Sequence, residues 1–233
     1  MMRRALCALF FSLPIVAGAQ EPLPPDLHGV DKLNALVQRV SQIQAGIKTL
    51  TASFEQTKTS HLLAQPSVSR GTFYYQAPDK LRWEYKEPRP MIVLLAGGVA
   101  TTYRPAEKRA ERVEVGHMQR RIFRFLGASE PLEKLKGYFN FTFHDRGPGE
   151  NYLLSLQPTA HAIKKRMKSV DIVIDRHTLL PSAVTYVEAD GDTTGYVFSD
   201  VALNQPQPAG IYALTLPPDV EVVRINLGGQ ERD

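Results

Sequence analysis

The residues of this 233-residue chain best suited to ligate a metal or attack an electrophile are six histidines, His28, His61, His117, His144, His161 and His177, and one cysteine, Cys7. The histidines never recur at i,i+2 or i,i+4, so no single strand or helix presents a ligand pair. A metal cluster would have to be assembled wholly by the fold; surface or singly bonded histidines are the plainer expectation. G-x-S-x-G, S-x-x-K, H-E-x-x-H, P-loop and G-x-G-x-x-G patterns are absent from the sequence, which argues against the commonest exported hydrolases. Asp190-Gly191-Asp192 supplies only the first oxygens of a calcium loop, without the terminal glutamate, and suits a hairpin turn between Tyr186 and Tyr196 better. No catalytic residue, metal or cofactor is expected. One basic run, Lys164-Lys165-Arg166-Met167-Lys168, could touch anionic headgroups or an acidic partner face, or form a solvated loop.

Net charge narrows the field further. The formal charge is +4, from 28 Lys+Arg against 24 Asp+Glu. Setting aside Arg3 and Arg4, which lie in a segment expected to be removed, leaves an excess of two, too little to bind a polyanion, so no nucleic-acid partner is expected. That segment pairs the two arginines with an apolar run from Ala5 to Val16 and the small-residue site Ala17-Gly18-Ala19, the pattern of a cleaved signal peptide covering residues 1–19. The run is shorter than the ~20 residues a spanning helix needs. Cys7 lies too close to Arg4 to be lipidated and leaves with the signal, so the mature chain, a single domain over residues 20–233, has no disulfide or thiol chemistry. A monomer in a bacterial periplasm, without a lipid anchor, is expected.

Periodicity supplies the elements. Val30, Leu33, Leu36, Val37, Val40, Ile43 and Ile47 recur at spacings of three and four, the stripe of an amphipathic helix from near Asp31 to about Ile47. The period then shifts to two. Strands are predicted over Leu50–Lys58, Gly71–Gln76, Lys80–Tyr85, Met91–Ala96, Val99–Arg104 and Arg109–Val115. Helical patterns follow over His117–Leu126 and Glu130–Gly137. Further strands are predicted over Phe139–His144, Tyr152–Gln157, Val170–Asp175, Ser182–Glu188, Thr193–Val201, Ile211–Leu214 and Val220–Ile225. No βαβ rhythm occurs. The predicted class is mainly β (α+β): one unclosed, strongly curved antiparallel barrel whose helices form a lid over its concave face.

Within the strands, alternation places Phe73 with Tyr75, and Leu81 with Trp83 and Tyr85, opposite Arg82 and Glu84. These rings either fill a core or line a cavity for an apolar ligand. On the cavity reading the lining is Phe54, Phe73, Tyr75, Leu81, Trp83, Tyr85, Ile92 and Leu94, closed by Ile122 and Phe125 of the first mid-chain helix.

The pattern also carries a resemblance. Leu50-Thr51-Ala52-Ser53-Phe54-Glu55-Gln56 after the helix, Gly71-x-Phe73, Pro78-Asp79-Lys80-Leu81-Arg82-Trp83-Glu84-Tyr85-x-x-Pro88, Gly97-Gly98, and later Val170–Asp175 and Leu216-Pro217-Pro218-Asp219-Val220 resemble the periplasmic lipoprotein carriers of the LolA family. The resemblance implies an unclosed antiparallel barrel with helices as a lid. It also implies a carrier that shields lipoprotein acyl chains between an inner-membrane ABC transporter and an outer-membrane lipoprotein receptor. The absence of a usable lipidation site favours the soluble carrier over the lipid-anchored receptor. One departure matters: where the familiar carriers place an arginine that ties lid to barrel, just before the proline matching Pro78, this chain has Ala77. Rival readings are a carrier of another lipid, such as a glycolipid or polyene product, a lipid-sensing regulator of the same fold, and an enzyme without a recognisable motif.

Overall fold

The computed structural model describes residues 23–24, 26–115, 132–147 and 149–225. The expected signal peptide and the lid residues Ile122 and Phe125 lie outside the described residues. Helix α1 spans Gly29–Ala45, with Leu36, Val37 and Val40 fully buried, as the three-four spacing predicts. Val30, in the first turn of the helix, departs from the stripe at 69% exposure. Gly46 ends the helix, its N–H donating back to the Ile43 carbonyl.

Twelve strands follow: β1 (Thr49–Thr59), β2 (Ser67–Gln76), β3 (Lys80–Glu87), β4 (Met91–Ala96), β5 (Val99–Arg104), β6 (Arg109–Glu114), β7 (Phe139–His144), β8 (Tyr152–Pro158), β9 (Met167–Ile174), β10 (Pro181–Glu188), β11 (Thr193–Leu203) and β12 (Glu221–Ile225). Short helices α2 (Leu132–Leu135) and α3 (His161–Lys164) interrupt them. They form one sheet in the order β12-β6-β5-β4-β3-β2-β1-β11-β10-β9-β8-β7. The sheet is unclosed, since β12 and β7 are its two edges. The first strand in sequence is near its middle, flanked by β2 and β11.

Two expectations are corrected. Ile211–Leu214 is not a strand: the Ile211 and Ala213 N–H groups close local turns onto the Pro208 and Gly210 carbonyls at 3.2 and 2.8 Å, so they are not offered to a ladder. Residues 204–220 instead form a strap over the outer face. The sheet is also not wholly antiparallel, because β12 pairs parallel to β6. From β11 the chain must traverse seven strand spacings of ~4.8 Å, roughly 34 Å, before it can pair there.

Side-chain amides fasten the strap. Asn204 Oδ1 accepts the Lys48 N–H at 2.7 Å and its Nδ2 donates to the Gly46 carbonyl at 3.1 Å. Gln207 Nε2 donates to the Leu50 and Tyr75 carbonyls at 3.0 and 3.2 Å, and its Oε1 accepts the Tyr212 hydroxyl at 2.9 Å. Arg82, on the face opposite Trp83 as the alternation predicts, is buried beneath the strap, donating to the Ile211 carbonyl at 3.2 Å and to Glu84 at 3.2 Å.

The opposite face of the sheet meets α1. Leu36, Val37 and Val40 share one apolar cluster with Phe73, Leu81, Leu154, Ile172 and Val184. Gln44, buried on the same helix, accepts the Leu132 N–H and so joins α1 to α2.

Candidate functional site

The inner face of β1, β2, β3 and β11 carries a continuous wall of rings. Register explains it: Phe73 opposes Trp83 and Tyr75 opposes Leu81, while Phe54 opposes Phe198 across the other flank of β1. Trp83 is the hub, with ring centroids 4.5 Å from Phe73, 4.9 Å from Phe54 and 4.9 Å from Tyr196. Phe54 also meets Tyr85 edge-on at 5.0 Å. Edge-to-face geometry sets the positive ring edge against the negative ring face.

Gly71 makes this arrangement possible. A Cβ at that position would collide with the Glu84 carbonyl oxygen and lie 2.8 Å from Phe54 Cζ. Only glycine allows β2 and β3 to approach so closely, and a register shift between Arg70 and Gly71 bends the ladder there.

Six of the predicted lining residues, Phe54, Phe73, Tyr75, Leu81, Trp83 and Tyr85, are buried in one cluster on this face. Ile92 and Leu94 are corrected. They oppose Glu84 and Arg82, whereas Met91, Val93 and Leu95 oppose Tyr85, Trp83 and Leu81. Every position of β4 is apolar, so its own alternation could not reveal its inner face; only the register with β3 does. Ala77 is exposed in the β2–β3 turn, its N–H donating to the Lys48 carbonyl at 2.8 Å.

Sequence reasoning missed Tyr196 and Phe198, both buried. The signal was Thr194-x-Tyr196-x-Phe198, an alternation as regular as that of β3. Tyr196 also brings polarity. Gln56 Nε2 donates to its hydroxyl at 2.6 Å. Burial pushes the Tyr196 hydroxyl well above its ordinary pKa, and burial likewise raises Tyr85 and Tyr186. The wall therefore pairs an apolar surface with a small cluster of neutral hydroxyls.

A salt-bridged cluster fastens α1 over this face. Lys32 Nζ donates to Asp145 at 2.6 Å, and Arg176 Nη2 reaches the same carboxylate at 3.1 Å. The Lys32 ammonium holds the Asp145 pKa below the ordinary carboxylate value. Sequence alone offered no route to this triad, whose members lie on α1, after β7 and after β9.

A separate hollow of about 520 Å³ opens on the outer face, lined by Ser53, Glu55, Arg70, Thr72, Lys86 and Ser199 among others. Its centre is an ion pair, Arg70 to Glu55 at 2.8 Å, unsuited to an acyl chain because burying the pair without water is costly.

Comparison with known proteins gives a consistent result. The chain is 27% identical over 203 residues to an outer-membrane lipoprotein carrier protein of Dechloromonas aromatica, covering 87% of this chain and 90% of the relative. It is 28% identical over 224 residues to a protein of the same name from Bordetella avium, covering 95% and 94%. An uncharacterized conserved protein from Thermus thermophilus shares the fold, with a TM-score of 0.51 at 10% identity over 83% of this chain and 99% of that one. The model of the family described as outer membrane lipoprotein carrier protein LolA matches residues 45–215, most of the ring-bearing sheet, and the chain belongs to that family.

Proposed function

We propose that this protein is a periplasmic carrier that shields the acyl chains of lipoproteins and ferries them from the inner to the outer membrane, making and breaking no bond. The observation that carries the reading is the ring wall centred on Trp83 on the inner face of an unclosed sheet, in a member of a lipoprotein-carrier family. An acyl chain laid against Phe54, Phe73, Tyr75, Leu81, Trp83 and Tyr85 leaves water, at ~0.8 kcal/mol for each buried CH₂. Tyr196 and Phe198 extend that lining. Ile122 and Phe125 would close it from the lid helix. An inner-membrane ABC transporter would load the carrier, and an outer-membrane lipoprotein receptor would unload it.

One feature favours a second cargo. Ala77 has no side-chain donor where an arginine is the familiar latch, so a different lipid, such as a glycolipid, is the alternative occupant. Mass spectrometry of material co-purified with the native periplasmic protein tests both. Triacylated lipoproteins are the expected occupant; a glycolipid in their place would shift the cargo assignment. Protein that is empty, and whose Trp83 fluorescence ignores every acyl-chain probe, would refute the carrier reading.

A further inference from the structure

The most exposed large apolar residue among those described is at the tip of the β1–β2 hairpin. Leu62 is 94% exposed and its neighbour Leu63 43%. Isolated surface leucines are ordinary, but these two are adjacent and held in shape. The Leu62 N–H donates to Ser60 Oγ at 3.2 Å and the Leu63 N–H to the Ser60 carbonyl at 3.1 Å. The tip is thus a hydrogen-bonded turn that presents its leucines outward.

The basic run Lys164-Lys165-Arg166-Met167-Lys168 arrives at the same end of the sheet. The Arg166 carbonyl accepts the Ala189 N–H at 3.1 Å, which ties the 164–168 segment to the β10–β11 turn. A Cβ placed at Gly191 in that turn would lie 3.5 Å from His61 Nε2 and 3.7 Å from Lys168 Nζ. The leucine tip, the acidic turn and the basic run therefore meet. Lys164, Lys165, Arg166 and Lys168 are all exposed, while Ile163 just before the run and Met167 within it are buried and anchor it. Three carboxylates share the neighbourhood. Glu188 is engaged by Lys58 at 3.8 Å, and Asp190 accepts the Asp192 N–H at 3.0 Å within its own turn. Four cations thus outnumber the two carboxylates of Asp190 and Asp192.

We propose that this end of the molecule docks on a bilayer surface containing anionic phospholipids, with Leu62 and Leu63 entering the headgroup boundary and Lys164, Lys165, Arg166 and Lys168 resting on the lipid phosphates. Two leucines bury little area, so the contact is weak and reversible, and it needs both the apolar and the electrostatic component. A protein partner would need a broad complementary face of roughly 800 Å², whereas a projecting two-leucine tip beside exposed cations matches the softer boundary of a membrane. The inference concerns the outside of the molecule and does not depend on what the ring wall carries.

Vesicle flotation of the mature protein tests it, with phosphatidylethanolamine–phosphatidylglycerol vesicles against pure phosphatidylcholine. The expected result is partitioning to the anionic vesicles that weakens with added salt. Leu62→Glu with Leu63→Glu should reduce it at least about tenfold. Replacing Lys164, Lys165, Arg166 and Lys168 by glutamine should remove the preference for anionic lipid. Circular dichroism and the Trp83 response to an acyl-chain probe should stay unchanged in both variants. Wild-type protein that floats with neither vesicle, or variants that float as well as wild type, would overturn the docking site while leaving the carrier reading intact. An absent Trp83 response in wild-type protein that still floats would do the reverse.

Discussion

The two walls of the inner face are built differently. On β8 and β9, Tyr152, Leu154, Leu156, Val170, Ile172 and Ile174 are at most 1% exposed. In the ring wall Phe73 and Phe54 are 0% and 3% exposed, while Tyr75, Trp83, Tyr85, Tyr196 and Phe198 retain 6–9%. Around Tyr152 the first wall is branched aliphatic side chains, which interdigitate to near-crystalline density, while the rings of the second meet at angles from 9° between Tyr196 and Phe198 to 78° between Phe54 and Tyr85. Both walls belong to one buried cluster, and the aliphatic wall is the more completely sealed of the two.

The largest test of that division is at the bend under the rings. Gly71→Ala has no cheap relaxation, because the added methyl meets the Glu84 carbonyl rather than a flexible side-chain end. A loss of at least ~3 kcal/mol is expected, read as a lower urea midpoint. Unchanged stability would mean that the ring wall does not depend on this close approach.

Next comes an aliphatic truncation. Leu154→Ala should cost ~2–5 kcal/mol through the cavity it leaves, yet the affinity for an acyl-chain probe should match that of wild type. Weaker probe binding at a temperature where the variant is fully folded would erase the distinction between the walls.

The smallest effect is alkaline. Burial raises the pKa of Tyr85, Tyr186 and Tyr196 above the ordinary value of 10.0. Below pH 10 these hydroxyls are protonated in both folded and unfolded chains, so they add no pH dependence. As pH rises above that value the unfolded chain loses protons first, and stability falls until the folded-state values are passed. Denaturation midpoints measured alongside tyrosinate absorbance should show this decline, and Tyr196→Phe should reduce it. A flat midpoint through the alkaline range would place these rings in contact with water.

Much of the fold was legible in residue order, for local reasons. The three-four spacing of α1 and the two-residue alternation of β3 depend on which side of one element meets the core. Phe73 and Trp83 were therefore found from spacing, whereas Phe54 entered with the motif that carries the family resemblance. Features set by distant parts of the chain were not legible. The inner face of β4 depends on its pairing with β3, since its own sequence is apolar at every position. The Lys32–Asp145–Arg176 cluster joins three distant segments, and Arg82 is buried only because the strap passes over it. Ile211–Leu214 reads as a strand in the sequence, although it forms part of the strap, and nothing in its order showed which face the segment would cross.

The strand order has a kinetic consequence. Nine of the eleven neighbouring strand pairs join strands consecutive in sequence, so β1–β6 and β7–β11 can each form by short-range hairpin closure. The two meanders meet at the β1–β11 seam, where partners such as Gln56 and Tyr196 are 140 residues apart. Closing that seam carries the largest loop-entropy cost among the antiparallel pairs, and it also brings Phe54 against Phe198. Phe54, Phe73, Trp83 and Tyr85 can meet within the first meander, but Tyr196 and Phe198 join them only across this seam, so completion of the ring wall coincides with the slowest topological step available to the chain.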